Sequence, residues 1–148
     1  METSIVMETL DNPLIFVVDD SPIYNRLIVS QLRMKKFQRI ESFFSGEECL
    51  LNIYKKPAII IQDYLMNGIN GIEVLKESKK RDPNIEFIFL SSEDSFELAV
   101  NTIKYGASDY VVKDQLAFKK LIIAINKVLK TQHTIPPKKF LKMVFSFI

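Results

Sequence analysis

Four runs in this chain are apolar almost without interruption yet too short for helices: LIFVVD at 14–19, AIIIQD at 58–63, IEFIFLSS at 85–92 and DYVVK at 109–113. A strand with one face in water alternates apolar and polar residues. A strand covered on both faces carries apolar side chains at nearly every position. These runs therefore read as strands of a parallel sheet buried on both sides, and a less continuous run, FQRIESF at 37–43, completes the set. Longer segments with helical spacing lie between them. In the first, Ile23, Leu27, Ile28 and Leu32 fall at i, i+4, i+5 and i+9 and suggest one apolar stripe.

Boundary signals agree with this division. Ser21-Pro22 puts Pro in a first helical turn, where its missing N–H costs nothing. Ser45 with Glu48, Asn70 with Glu73, and Asp94 with Glu97 have capping-box or related spacing. Gly106 follows the fourth helical stretch at a C′ position, and Asp114 stands where it could cap a last helix over 115–130. The order is βα repeated five times. Right-handed crossovers then place helices on both faces of one sheet, a doubly wound α/β fold with five parallel strands.

At 148 residues the chain has room for one domain and hardly two, and 47% hydrophobic residues suffice for a real core. A net charge of +2 is too small to predict nucleic-acid binding. The single cysteine, Cys49, allows no internal disulfide and fits a reducing cytoplasm. His133 has no second His or Cys for company, which sets aside a zinc-type site. METSIVMETLDN has no signal-peptide character, and no apolar run is long enough for a transmembrane helix.

In a doubly wound fold, ligands sit beyond the carboxyl ends of the strands. The first strand ends in Asp19-Asp20, the third in Asp63, the fourth in Ser91-Ser92 and the fifth in Lys113. Three carboxylates at close range repel, and a hard divalent cation such as Mg²⁺ would offset them. Lys113 adds an ammonium able to pair with Asp63 or with an oxyanion built on it, and a Ser hydroxyl can donate as well. The set holds the parts for phosphoryl transfer to an aspartyl nucleophile. Taken singly, each residue has a plainer reading. A strand-end Asp is usually a turn or cap residue, and Asp19-Asp20 could cap the first helix. Four strand ends with matching chemistry in this order outweigh the single readings.

VVDDSP, QDYLMNGING, FLSS and GASDYVVKD together resemble the receiver domains of two-component response regulators, over residues 14 to about 130. The resemblance implies a flavodoxin-like (βα)5 fold with strand order 2-1-3-4-5. It implies Asp63 as phospho-acceptor, charged by a sensor histidine kinase or a histidine phosphotransfer protein. It implies Mg²⁺ held by Asp20 directly, Asp19 through water, Asp63 and the backbone carbonyl of Leu65. Lys113 would bind the phosphoryl oxygens, Ser91 would be the switch hydroxyl, and Tyr110 would turn inward as Ser91 moves. Output would pass through the fourth helix, fifth strand and fifth helix to a protein target, with a homodimer as a further outcome. No turnover enzyme is implied beyond Mg²⁺-dependent self-phosphorylation and self-dephosphorylation.

Two positions depart from the family pattern. Asn67 stands where Pro is usual, and Asn tolerates turn geometry. Lys113-Asp114 replaces a common Lys-Pro with a cis bond; without Pro, cis costs about 2.5–4 kcal/mol, so a trans bond and an altered loop are expected. Leu65 cannot orient a hydrolytic water, although Glu93 could compensate, so self-dephosphorylation should be slow.

The domain division expected is an extension at 1–12, the receiver at 13–131 and a tail at 132–148. The tail, with Phe140, Leu141, Met143, Val144, Phe145, Phe147 and Ile148, is too apolar to leave in water and too short to span a bilayer. Packing on its own domain or a truncated linker is the favoured reading. A dimer contact, or a membrane-surface contact through its lysines, comes second. No nucleic-acid-binding module is expected after residue 131, so output should be by protein contacts. The competing function is a metal-dependent phosphohydrolase with an aspartyl nucleophile. It would need an acid two residues after Asp19, where this chain has Ser21. A partner-binding pseudo-receiver would have lost an acid or the Lys, and a flavin module would not place DDSP after its first strand.

Overall fold

The computed structural model describes residues 12–133. Five strands and five helices alternate along the chain: β1 (Ile15–Val18), α1 (Pro22–Met34), β2 (Ile40–Phe43), α2 (Gly46–Leu51), β3 (Ile59–Gln62), α3 (Gly71–Arg81), β4 (Glu86–Ser91), α4 (Phe96–Lys104), β5 (Asp109–Val112) and α5 (Ala117–His133). A 3₁₀ turn at Ile53–Lys55 leads into β3. The strands form one parallel sheet in the order β2-β1-β3-β4-β5, as the resemblance implies.

The continuous apolar runs follow from cover on both faces. Ile15, Val17, Ile59, Ile61, Ile88 and Leu90 pack with α1 and α5 residues such as Ile28, Leu32, Leu121 and Ile125. Their neighbours Phe16, Val18, Ile60, Phe87 and Phe89 pack on the other side with Cys49, Val74 and Leu75 of α2 and α3. Side chains alternate between faces with period two, so both parities must be apolar. The edge strand β2 is covered less, and its two middle residues, Glu41 and Ser42, are polar.

Local chemistry sets the helix starts. Pro22 opens α1 behind Ser21, whose hydroxyl accepts the Tyr24 N–H at 3.3 Å. That leaves neither Asp19 nor Asp20 as the helix cap. Ser45 and Asn70 cap α2 and α3 through the N–H groups of Glu48 and Glu73. For α4 the spacing misplaces the cap by one residue: Ser95, not Asp94, accepts the Leu98 N–H. Gly106 closes α4 at φ +108°, a backbone that L residues rarely adopt. Asp114 accepts the Leu116 N–H at 2.8 Å in the turn before α5, and that helix runs past the expected residue 130 to His133.

The stripe expected on α1 is corrected by packing. Asn25, Ile28 and Leu32 face the sheet, while Ile23 is 74% exposed and Leu27 44%. Asn25 is buried for a polar reason: its amide donates to the carbonyls of Asp19 and Phe43, tying together the ends of β1 and β2. Of the extension expected at 1–12 and the tail expected at 132–148, residues 1–11 and 134–148 lie outside the described residues, and 132–133 belong to α5.

Candidate functional site

Strand register decides which side chains meet. Val18 of β1 pairs with Gln62 of β3, so the next residues, Asp19 and Asp63, leave the sheet side by side. The Asp63 N–H donates to the Val18 carbonyl at 2.9 Å, prolonging the ladder by one step. On the far side Ser91 pairs with Val112, and the Lys113 N–H donates to the Ser91 carbonyl at 2.7 Å. Four strand ends thus turn toward one rim.

The loop after Asp63 is held down at several points. Gly71, at the start of α3, has no room for a side chain: a Cβ would lie 2.7 Å from the Asp63 carbonyl and 2.8 Å from Phe89. Its N–H closes the loop onto the Tyr64 carbonyl at 3.1 Å. Gly68 serves a different need, a φ of +83° against the Glu47 carboxylate. Glu47 also accepts the Ile69 N–H at 3.0 Å. These bonds hold the loop close to the acid cluster.

One carboxylate oxygen from each of Asp19, Asp20 and Asp63 lies within 4.8 Å of the others. Lys113 Nζ stands 2.8 Å from Asp19 Oδ2 and 3.6 Å from Asp63 Oδ1. Its first partner is therefore Asp19 rather than the Asp63 suggested by the sequence. Asp19 and Asp63 are nearly buried, whereas Asp20 is partly open and accepts the Asn67 N–H at 3.2 Å. A proline at position 67 could not make that bond.

The electrostatics follow from this geometry. Burial, the Asp19 carboxylate and the Asp20 carboxylate raise the Asp63 pKa from 3.8 to about 6, with Lys113 opposing. One ammonium does not offset three carboxylates. Three converging hard oxygen donors with an excess of negative charge fit a hard divalent cation, so Asp19, Asp20 and Asp63 could hold such a metal.

The β4–β5 side is arranged differently. Ser91 is fully buried, and its Oγ accepts the Glu93 N–H at 3.1 Å. Tyr110 stacks on Phe89 and donates its hydroxyl to the Glu93 carbonyl at 2.7 Å. Burial raises the pKa of Tyr110 even though the neighbouring Ser91 opposes it. Ser91 and Tyr110 thus both bond the Glu93 backbone in the turn between β4 and α4.

The family model of the response regulator receiver domain matches residues 15–126. The chain belongs to the response regulator receiver family. The chemotaxis protein CheY of Thermotoga maritima is 30% identical over 118 residues, covering 78% of this chain and 97% of CheY. The transcriptional regulatory protein CssR of Bacillus subtilis is 30% identical over 116 residues, 78% of this chain but 51% of its own length. The chain therefore spans about half of that relative. Among solved structures, the receiver domain of the Francisella response regulator 1452 is similar with a TM-score of 0.73 and 30% identity, covering 80% of this chain and 98% of that one. CheY in a CheX-CheY-BeF3-Mg²⁺ complex from Borrelia burgdorferi gives a TM-score of 0.72 at 25% identity, covering 79% and 90%.

Receiver domains are signalling switches of two-component systems rather than conventional enzymes. Among the described residues no peptide bond is cis, so Lys113–Asp114 is trans as expected. No described helix is long and apolar enough to cross a membrane. Sequence reasoning missed Tyr24, whose ring lies 4.2 Å from Lys113 Nζ, and Glu47, which fastens the loop after Asp63. For Tyr24 the available signal was its place four residues after Asp20 in the first turn of α1.

Proposed function

We propose that the chain is a phosphorylation-activated switch whose acceptor is Asp63, charged by a sensor histidine kinase or a histidine phosphotransfer protein. The observation that carries this is the Asp63 carboxylate between two further acids and Lys113 at the carboxyl rim of the sheet. In the transfer, an ionised Asp63 oxygen supplies the electron pair for a new O–P bond as the P–N bond of the donor's phosphohistidine breaks. The departing imidazole keeps that bond's electrons and takes up a proton. Lys113, with three donors on a flexible stem, would turn from Asp19 to the phosphoryl oxygens. Asp19, Asp20, Asp63 and the Leu65 carbonyl would hold Mg²⁺. When bound, it supplies charge neutralisation at the transferring oxygens.

Switching would follow as a population shift. The added charge favours the arrangement in which Ser91 leaves the Glu93 N–H for the phosphoryl group, and Tyr110 moves with it. Output through α4, β5 and α5 is supported by apolar side chains exposed on or beside those helices, Phe96 and Ile103 on α4 and Leu116 and Ile123 at α5. The receiver is assigned to 13–131, flanked by an extension and a tail, and to the cytoplasm. Partners are proteins, not nucleic acid.

The test is incubation of the full chain with acetyl phosphate and Mg²⁺, followed by intact mass. A phosphoryl-sized gain in the parent and none in Asp63→Asn is expected; a gain that persists in Asp63→Asn overturns the acceptor assignment. Steady turnover of a phosphomonoester would favour the phosphohydrolase instead.

A further inference from the structure

The lysine of the site is held from a side that neither the acids nor the family pattern explains. Lys113 Nζ lies 4.2 Å from the centroid of the Tyr24 ring. That ring stacks on Phe118 of α5, centroids 5.8 Å apart and planes 26° apart. Tyr24 is half-buried, and among the described residues its hydroxyl meets no hydrogen-bond partner, so the ring makes the contact. The Lys113 side chain is only 13% exposed. Its ammonium is thus bounded by Asp19, Asp63 and an aromatic face braced from behind.

We propose that Tyr24 is a positioning residue for Lys113, keeping the ammonium at the junction of Asp19 and Asp63 throughout phosphoryl transfer. The physical reason lies in the kind of attraction. A carboxylate or carbonyl fixes the direction of each N–H, whereas a ring quadrupole attracts the charge with little demand on its hydrogens. Lys113 can therefore exchange its Asp19 bond for a phosphoryl oxygen on Asp63 without leaving the ring. The same face excludes water from one side of the ammonium, which strengthens its attraction to the oxygens it meets. Tyr24 touches neither the phosphoryl group nor a reacting atom in this scheme; it acts through Lys113.

The inference rests on Asp63 as acceptor, and the experiment separates the two. The full chain, Tyr24→Phe, Tyr24→Leu, Tyr24→Met and Asp63→Asn are each treated with acetyl phosphate and Mg²⁺, and mass gain is followed in time alongside a melting curve. Loss of the ring in Tyr24→Leu should slow phosphorylation roughly three- to tenfold, the size expected of one cation–aromatic contact. Tyr24→Phe, which keeps the ring and drops the hydroxyl, should stay within about twofold of the parent. Tyr24→Met, adaptable in shape, carries the same contrast should Tyr24→Leu fail to fold. Parent-like rates in folded Tyr24→Leu or Tyr24→Met overturn the positioning role, as does a Tyr24→Phe rate as low as theirs. A parent labelled no better than Asp63→Asn overturns the acceptor assignment and this proposal with it.

Discussion

The two halves of the carboxyl rim solve opposite problems. Along β1 and β3, three carboxylates converge with one ammonium among them, and Asp63 answers with a pKa pushed up to about 6. Along β4 and β5, Ser91, Glu93 and Tyr110 satisfy one another through neutral hydrogen bonds. The first half stores repulsion that a divalent cation can relieve. The second half is already satisfied and has to surrender bonds to move. On the proposed function, chemistry belongs to the strained side and the switch to the settled side, joined by the Lys113 N–H bond to the Ser91 carbonyl.

Substitutions can break this comparison, the largest effect coming from the charged half. Removing the cation in Lys113→Ala leaves buried carboxylates uncompensated and should destabilise by about 3 kcal/mol at neutral pH without divalent cations. Urea unfolding should show the loss shrinking toward acid pH, as Asp63 takes up its proton. A loss that is constant with pH would mean that Lys113 acts through packing.

Asp63→Asn should do the reverse. Burial and Asp19 raise the folded pKa above the ordinary 3.8, so the folded protein holds a proton that the unfolded chain releases. Ionisation then costs the native state, and that cost is absent from the amide. Asn should therefore stabilise by about 1–3 kcal/mol near pH 7 in chelator. The difference should open between pH 3.8 and about 6 and stay level above. A melting-temperature series across pH checks both the sign and the window.

On the settled half, Tyr110→Phe removes one hydroxyl bond to the Glu93 carbonyl and should cost only about 1 kcal/mol, without pH dependence between about pH 5 and 8. A marked slope would show that the two halves are coupled before phosphorylation. The smallest effect is kinetic. Leu65 is half-exposed in the loop after Asp63 and cannot orient water, so Leu65→Asn should shorten the life of the phosphorylated protein several-fold. Intact mass after removal of the donor reads this directly, and an unchanged lifetime excludes Leu65 from hydrolysis.

Much of this was legible in the chain itself. Strands buried on both faces need apolar residues of both parities, which is why LIFVV and AIII declare themselves. Asp19, Asp63 and Lys113 follow those runs directly, and strand register does the rest. Helix faces were harder to read. Ile23 and Leu27 have the right spacing for the core of α1, yet they are exposed while the polar Asn25 is buried. Apolar spacing on its own does not say which side the sheet lies on. The cap of α4 fell on Ser95 rather than Asp94 because both residues can cap and only the backbone selects between them.

What the sequence determined alone is the fold class and the identity of the strand-end groups, because periodicity and strand ends are local properties. Tertiary structure decided the partners. Lys113 meets Asp19 more closely than Asp63 and rests on Tyr24, groups distant in the chain and joined only by packing. The same holds for Gly71 in the Asn/Gly turn after Asp63: its lack of a side chain is required by the Asp63 carbonyl and the Phe89 ring pressed against it. Local spacing cannot register a contact of that kind, since its geometry exists only once the sheet and its helices have come together.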